Sequence, residues 1–253
     1  MANETSSATQ ETILITGASS DIGIALIRHL LTKPAPPIIL AHSFSAGHKL
    51  QTLQAEFPDH LKLLQADFTD PASVTAMADT ILTTHGVPTG FVHLPALRLT
   101  YDRFTKFKWD RFTSDLAVQV QSAVILLQKL LPKMTKLPSG RVIFVLSSVV
   151  HGVPPKFMSM YTTLKYTQLG LMRSLAAEYA ATPVRVNAIS PSMVDTQFLL
   201  DIPEVATQMA AQANPLGRNA KPEDLIGALD LLLSPAADYI NGITIPIAAG
   251  TVN

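Results

Sequence analysis

The stretch TILITGASSDIGIALIRHLL, residues 12–31, joins a short apolar strand to an amphipathic helix through a turn of small residues. Gly17 and Gly23 bracket that turn. Small residues allow backbone N–H groups to approach a phosphate, and the N-terminus of the following helix adds partial positive charge. An ordinary strand-to-helix turn can also carry two glycines, but the order of strand, turn and helix favours a phosphate-binding turn.

Apolar runs of strand length alternate with helical patterns along the rest of the chain. Strands are predicted at 12–16, 37–42, 61–66, 90–94, 141–147, 184–190 and 243–248. Helices are predicted at 22–33, 46–57, 71–85, 110–134, 158–181 and 222–234. Most of these strands are continuously apolar, which is typical of a parallel sheet covered on both faces. The sequence therefore predicts an α/β fold, a Rossmann-like doubly wound parallel sheet of about seven strands. We expect a single domain over residues 11–253, preceded by a disordered tail at residues 1–10.

The composition excludes several classes of function. The 253 residues are 47% hydrophobic, and 19 basic residues balance 19 acidic ones, so we expect no nucleic-acid partner. The absence of cysteine excludes disulfides and thiolate metal sites, and no HxxH motif or acidic cluster suggests a metal. The polar start lacks the features of a signal peptide, and no apolar run reaches the roughly 18 residues of a membrane span. We expect a cytoplasmic protein without membrane contact.

The segment RVIFVLSSVVHGVPPKFMSMYTTLK, residues 141–165, carries the candidate chemistry. Tyr161 and Lys165 are four residues apart and therefore share one face of a helix. An ammonium beside a phenol favours the phenolate and lowers the phenol pKa from about 10, which makes a tyrosine usable as a proton donor or acceptor. Ser148, at a strand end thirteen residues before Tyr161, is placed to steady a substrate oxygen. The spacing alone also occurs by chance on helix surfaces.

Several segments together resemble the single-domain branch of the short-chain dehydrogenase/reductase family. TGASSDIG resembles its TGxxxGxG turn, and the serine followed by YTTLK resembles its serine and YxxxK signature. QADFTD (65–70), RVNAISPSMVDT (185–196), PLGR…KPEDL (215–225) and YINGITI (239–245) resemble later family segments in the same order. The resemblance covers about residues 10–250 and implies hydride transfer between a nicotinamide and a carbonyl or alcohol carbon. Tyr161 would then be the general acid in reduction, Lys165 would lower its pKa and bond the nicotinamide ribose, and Ser148 would bond the substrate oxygen.

The resemblance also implies which residues contact the cofactor. Asp67 and Phe68 would flank the adenine, although a carboxylate at a strand end can equally cap the next turn. Val194 and Thr196 would lie beside the nicotinamide carboxamide. The complete expected set is Gly17, Ser19, Ser20, Asp21, Ile22, Gly23, Ser43, Asp67, Phe68, Leu94, Pro95, Lys165, Val194 and Thr196.

Three departures from the family pattern affect this site. Asp21 replaces the middle glycine of the turn, where a carboxylate either repels a pyrophosphate or caps the helix, and we favour the cap. HLPA (93–96) replaces the usual NNAG, so that His93 either touches the adenosine ribose or lies at the edge of the core. The fourth catalytic position falls on Gln119 or on Leu116, depending on the register. We assign it to Gln119, whose amide could keep a water-mediated relay to Lys165.

The second predicted strand ends AHSFSAGHK (41–49), without the carboxylate that bonds the ribose hydroxyl of NAD. Ser43, Ser45, His48 and Lys49 could instead bind a 2′-phosphate, so we predict NADP(H) in preference to NAD(H). A substrate pocket is expected from 94–100, 149–158 and 197–214. The apolar side chains of this pocket favour a partly apolar carbonyl substrate, unless they pack in a lid or a subunit contact. They are Phe157, Met158, Phe198, Leu199, Leu200 and Met209.

The leading functional hypothesis is an NAD(P)(H)-dependent oxidoreductase that reduces a ketone, 3-oxoacyl-like or otherwise partly apolar. The alternative is a non-catalytic dinucleotide-binding protein on the same fold, such as a redox sensor or partner subunit. An epimerase or dehydratase also fits YxxxK but not the chain length. The resemblance implies a homo-oligomer, tetramer or dimer, formed through the helices at 110–134 and 158–181.

Overall fold

The computed structural model describes residues 10–45 and 47–251. Its strands are β1 (Thr12–Thr16), β2 (Ile38–Ser43), β3 (Leu61–Gln65), β4 (Gly90–His93), β5 (Gly140–Val145), β6 (Val184–Pro191) and β7 (Thr244–Ile247). Its helices are α1 (Asp21–Leu31), α2 (His48–Glu56), α3 (Pro71–Thr80), α4 (Trp109–Leu116), α5 (Ser122–Met134), α6 (Ser159–Glu178), α7 (Glu204–Ala213) and α8 (Pro222–Leu233). The expected tail at residues 1–10 lies outside the described residues, apart from Gln10.

Within the described residues the strands form one parallel sheet in the order β3-β2-β1-β4-β5-β6-β7. The sheet is covered on both faces. One apolar cluster holds α3, α5 and α6 against it, and a second holds α1, α2 and α8. Strand residues such as Leu14 and Ile15 are fully buried on opposite faces. The predicted single-domain, doubly wound α/β fold is confirmed.

Two features of the helices differ from the predictions. α7 was predicted only as part of a pocket stretch, and none of its residues is buried. The helix predicted at 110–134 is interrupted by a π-helical turn at Ala117–Gln121, which separates α4 from α5. A similar turn at Ile81–His85 extends α3. No helix among residues 10–45 and 47–251 is long and apolar enough to cross a membrane.

Candidate active site

The strand order reverses between β1 and β4, and the candidate site lies there. β1 pairs with β2 on one side and with β4 on the other, so that Thr16 at its carboxyl end is level with His42 and His93. Connections leave these strands in opposite directions along the sheet and open a crevice at its carboxyl edge. The glycine turn after β1 and the Leu94–Pro95 segment after β4 both border this crevice.

The backbone of the turn requires glycine at two positions. Gly17 has φ +69, and a Cβ there would lie 2.7 Å from the Pro95 nitrogen. A Cβ on Gly23 would lie 2.5 Å from the Ala18 carbonyl oxygen. Ser19 and Ser20 are exposed, and Ile22 is half-buried. Glycine at these two positions lets the turn pack closely on Pro95 and Ala18 and lead directly into the N-terminus of α1, which suits a dinucleotide phosphate.

Asp21 does not cap the helix, and the prediction that it does is wrong. Ser20 is the N-cap, and its hydroxyl accepts a hydrogen bond from the Gly23 N–H at 3.1 Å. Asp21 is the first residue of the helix and not its cap. Its carboxylate instead accepts bonds from Lys49 Nζ at 2.6 Å and from the Gln197 N–H at 2.9 Å.

His42 fixes the turn from β2. Its carbonyl accepts from the Ala18 N–H at 2.8 Å, and its Nδ1 accepts from the Gly17 N–H at 3.4 Å. Its Nε2 then carries the proton and donates to the Ala66 carbonyl at 3.1 Å. Burial lowers the pKa of His42 to about 4, so the ring is neutral. The ring stacks on Phe68 with centroids 3.8 Å apart.

The surroundings of Phe68, Asp67 and Ser43 differ from those expected for contacts with the adenine and phosphate of a cofactor. Phe68 is 5% exposed and gives one ring face to His42. The Asp67 carboxylate accepts from the Thr69 N–H and hydroxyl, which hold its pKa below the usual value, so it acts as a turn cap. Ser43 is buried in β2, which argues against its predicted phosphate contact, whereas Ser45 and Lys49 are exposed.

His93 lies in the core. Its Nε2 donates to the Gln119 carbonyl at 2.9 Å, and its Nδ1 accepts from the Thr16 hydroxyl at 2.9 Å. Complete burial lowers its pKa to about 3 and keeps the ring neutral. A ribose contact by His93 is therefore not supported, and the residue instead connects β1, β4 and the π-helical turn.

Tyr161 and Lys165 share the face of α6 that packs on the sheet. Lys165 Nζ donates to the Val145 carbonyl at 3.1 Å and lies 5.6 Å from the centroid of the Tyr161 ring. Burial lowers the pKa of Lys165 to about 7, against the attraction of Asp115. Burial also raises the pKa of Tyr161 to about 12. The expected lowering of the phenol pKa by Lys165 is not found: burial raises that pKa, the Ser147 hydroxyl lowers it and the charge of Asp115 raises it.

Ser147, next to Ser148, affects the pKa of the Tyr161 hydroxyl. Interaction with the Ser147 hydroxyl lowers the pKa of the phenol and partly offsets burial. Ser147 is buried and also accepts from the Val149 N–H at 3.4 Å, at the start of the 3-10 turn Ser148–Val150. Ser148, the serine assigned from sequence, is half-buried next to it. Two neighbouring hydroxyls therefore stand at this strand end.

The π-helical turn places Gln119 in the network of Lys165. Gln119 is buried, and its main-chain carbonyl accepts from Gln168 Nε2 at 2.9 Å as well as from His93. Gln168 Oε1 in turn accepts from Lys165 Nζ at 2.9 Å. The Gln119 side-chain amide points to Asp115 instead. Leu116 packs with Phe112, Met160 and Leu164.

The remaining expected residues lie around the mouth of the crevice. Val194 is buried in an isolated bridge with Ala220, and the Thr196 hydroxyl donates to the Val194 carbonyl at 3.2 Å. Phe198 packs near Tyr161 with centroids 6.1 Å apart. Leu200 and Met209 are exposed beyond it. Pro95 is buried against Gly17, and Leu94 is half-buried.

Comparison with known proteins gives one consistent result. A family model described as enoyl-(acyl carrier protein) reductase matches residues 17–251. The 3-oxoacyl-(acyl-carrier-protein) reductase FabG of Pseudomonas aeruginosa is 30% identical over 239 residues, which are 94% of this chain and 95% of that protein.

The chain belongs to the short-chain dehydrogenase/reductase family. Members of this family are NAD(P)-dependent dehydrogenases and reductases, and this chain is an oxidoreductase of that kind. The solved structure of levodione reductase covers 95% of this chain and 96% of its own, with a TM-score of 0.84 and 25% identity. A 3-ketoacyl-(acyl-carrier-protein) reductase from Brucella melitensis, solved with NADH, shares the fold with a TM-score of 0.85 and 22% identity, covering 95% and 97% of the two chains.

Sequence reasoning within the family pattern missed three functional candidates. His42 contacts Gly17 across 25 positions, and Gln168 contacts the Gln119 carbonyl across 49 positions, and no local pattern signals these contacts. Ser147 could have been suspected, because it is adjacent to Ser148. The pairing of Asp21 with Lys49 had one signal, two opposite charges on neighbouring βα turns.

Proposed function

We propose that this protein reduces a ketone, 3-oxoacyl-like or otherwise partly apolar, with a nicotinamide dinucleotide as hydride donor. The observation that carries the proposal is the position of Tyr161 and Lys165 on the buried face of α6, beside two serine hydroxyls at the end of β5. When bound, the cofactor supplies a hydride to the carbonyl carbon. The names of two similar proteins, 3-oxoacyl-(acyl-carrier-protein) reductase and levodione reductase, refer to the same class of reaction.

The chain's own residues supply position and a proton. The phenol of Tyr161 holds its proton through the neutral range, because its pKa is about 12. It can therefore donate that proton to the developing alkoxide oxygen, which Ser148 would hold in place. Lys165 is fixed by the Val145 carbonyl and Gln168, so its position does not depend on solvent.

The cofactor would lie along the carboxyl edge of the sheet. Its phosphates would meet the turn from Gly17 to Gly23, and the nicotinamide end would meet Lys165, Val194 and Thr196. We propose NADP(H) in preference to NAD(H), supported by the absence of a carboxylate at the end of β2 and by Ser45 and His48 after it. Lys49 follows them, but its pairing with Asp21 reduces its contribution in the absence of ligand.

We also propose that the enzyme works in the cytoplasm as a homo-oligomer. Exposed aromatic side chains in the 3-10 turn before α4 and at its first residue support self-association through the α4–α5 and α6 faces, since Phe104 and Trp109 are 74% and 66% exposed.

NADPH oxidation against a panel of ketones and 3-oxoacyl thioesters tests the proposed function. The substitution Tyr161→Phe should lower kcat by about a hundredfold or more, because general acid catalysis is lost. The matched control is Tyr166→Phe, on the exposed face of the same helix, which should keep full activity. Binding of NADPH without turnover of any carbonyl would favour the non-catalytic alternative, and turnover unaffected by Tyr161→Phe would exclude this mechanism.

A further inference from the structure

The carboxylate of Asp21 connects three segments that border the cofactor crevice. Oδ1 accepts from Lys49 Nζ at 2.6 Å, and Oδ2 accepts from the Gln197 main-chain N–H at 2.9 Å. We call Asp21, Lys49 and the Gln197 amide the Asp21 clasp. Asp21 begins α1 directly after the glycine turn, Lys49 lies in the first turn of α2, and Gln197 follows Thr196.

The clasp is more than a pair of charges on the surface. The side chain of Asp21 is only 20% exposed, whereas that of Lys49 is 54% exposed. Partial burial acts to raise the pKa of Asp21, but the hydrogen bonds from Lys49 and Gln197 hold it below the usual value. The carboxylate is therefore charged at neutral pH and uses both of its oxygens.

The clasp uses hydrogen-bond donors and a cation of the kind that a bound dinucleotide would also need. Phosphates at the turn would seek backbone N–H groups and cations, and Asp21 already engages one of each. A carboxylate at this position also repels the pyrophosphate. A 2′-phosphate beyond β2 would need Lys49, whose charge the carboxylate neutralises.

We propose that the Asp21 clasp is an autoinhibitory contact that a dinucleotide must open, and that it weakens binding of NADP(H) more than binding of NAD(H). The inference rests on the proposed function, because it assumes that the crevice binds a nicotinamide dinucleotide. Repulsion of the pyrophosphate affects both cofactors, whereas loss of Lys49 affects only the one that carries a 2′-phosphate. The lysine side of the clasp is 54% exposed, and an ion pair open to solvent on one side is weak enough for a ligand to displace, so the clasp lowers affinity without abolishing binding.

Fluorescence titration with NADPH and with NADH, in the absence of any substrate, tests the clasp. Asp21→Asn should tighten NADPH binding about tenfold and NADH binding about threefold. Asp21→Gly, which removes every side-chain contact, should change both affinities in the same direction. Glu223→Gln removes an equal charge from the same surface cavity near α1 and should leave both affinities unchanged.

A double-mutant cycle tests the role of Lys49. In the Asp21→Asn background, Lys49→Gln should remove most of the gain for NADPH and leave the gain for NADH. In the native background, the same substitution should change NADPH affinity much less.

Three results would overturn the inference. The first is an affinity for both cofactors that Asp21→Asn and Asp21→Gly leave unchanged or weaken. The second is an equal gain for NADPH and NADH that does not depend on Lys49. The third is that neither the native chain nor any variant binds either dinucleotide, in which case the proposed function is itself wrong.

Discussion

Burial sets the protonation states of the residues at the centre of the site. Tyr161 is held as a neutral phenol, with a pKa of about 12, and Lys165 has a pKa of about 7. Desolvation penalises the charged form of each group and is the largest cause of both shifts. A phenol that keeps its proton near neutral pH can act as the proton donor that the proposed carbonyl reduction requires.

Ser147 and Ser148 should have separable effects on the reaction. Ser147→Ala removes the hydroxyl that lowers the pKa of Tyr161, so the pH profile of alcohol oxidation, which needs the phenolate, should shift to higher pH. Ser148→Ala should instead lower kcat by about a hundredfold without shifting that profile, because it loses a bond to the developing oxyanion. Steady-state kinetics across pH in both directions distinguishes the two. A shifted profile in Ser148→Ala alone would reverse these roles.

At the scale of elements, the interruption between α4 and α5 is the feature that the sequence could not predict. The pattern at 110–134 is helical throughout. In the π-helical turn at Ala117–Gln121, the Gln119 carbonyl accepts hydrogen bonds from His93 on β4 and from Gln168 on α6. Such turns depend on tertiary partners rather than on local periodicity. The strands were predicted to within about two residues, since buried parallel strands are continuously apolar. The cap of α1 was misplaced by one residue, because Ser20 and Asp21 are both good N-cap types.

Gln168 should act as a positioning residue for Lys165. Gln168→Leu leaves the buried ammonium with one acceptor fewer and should cost about 1–3 kcal/mol of stability and about tenfold in kcat. Gln168→Glu places a carboxylate next to the ammonium, so it should raise the pKa of Lys165. The limb of the kcat–pH profile that reports the ionisation of Lys165 should then shift to higher pH. Gln121→Leu and Gln121→Glu, at an exposed position of the π-helical turn, are the matched controls. An unchanged pH profile in Gln168→Glu would count against this role.

For the whole molecule, the sheet order determined where the site could form. The reversal between β1 and β4 brings residues from the first third of the chain beside the end of β5 and the start of α6. The order of βα units and motifs was sufficient to predict this architecture. It was not sufficient to predict which side chains would be buried together, such as His42 on Phe68 or His93 on Gln119, because those contacts join residues 26 positions apart.

The buried Lys165 should make the stability of the whole molecule depend on pH. Its pKa is 10.5 in an exposed reference state and about 7 in the fold. Below about pH 7 both states are charged and the fold bears the full cost of burying the ammonium. Between about pH 7 and 10.5 the unfolded chain binds more protons, so stability rises with pH until the cost is gone. Lys165→Met should therefore raise stability by about 2 kcal/mol near pH 6, after allowance for lost hydrogen bonds, and its advantage should vanish at alkaline pH.

Thermal unfolding of Lys165→Met across pH measures this cost. For a chain of this size, a change of 1 kcal/mol moves Tm by about 2–4 °C. Lys133→Met removes an exposed lysine from α5 and should show no such pH dependence. A Tm that Lys165→Met lowers near pH 6 would mean that the bonds to the Val145 carbonyl and Gln168 outweigh desolvation. The expected result is a more stable and inactive protein, because the same burial that destabilises the fold fixes Lys165 next to Tyr161.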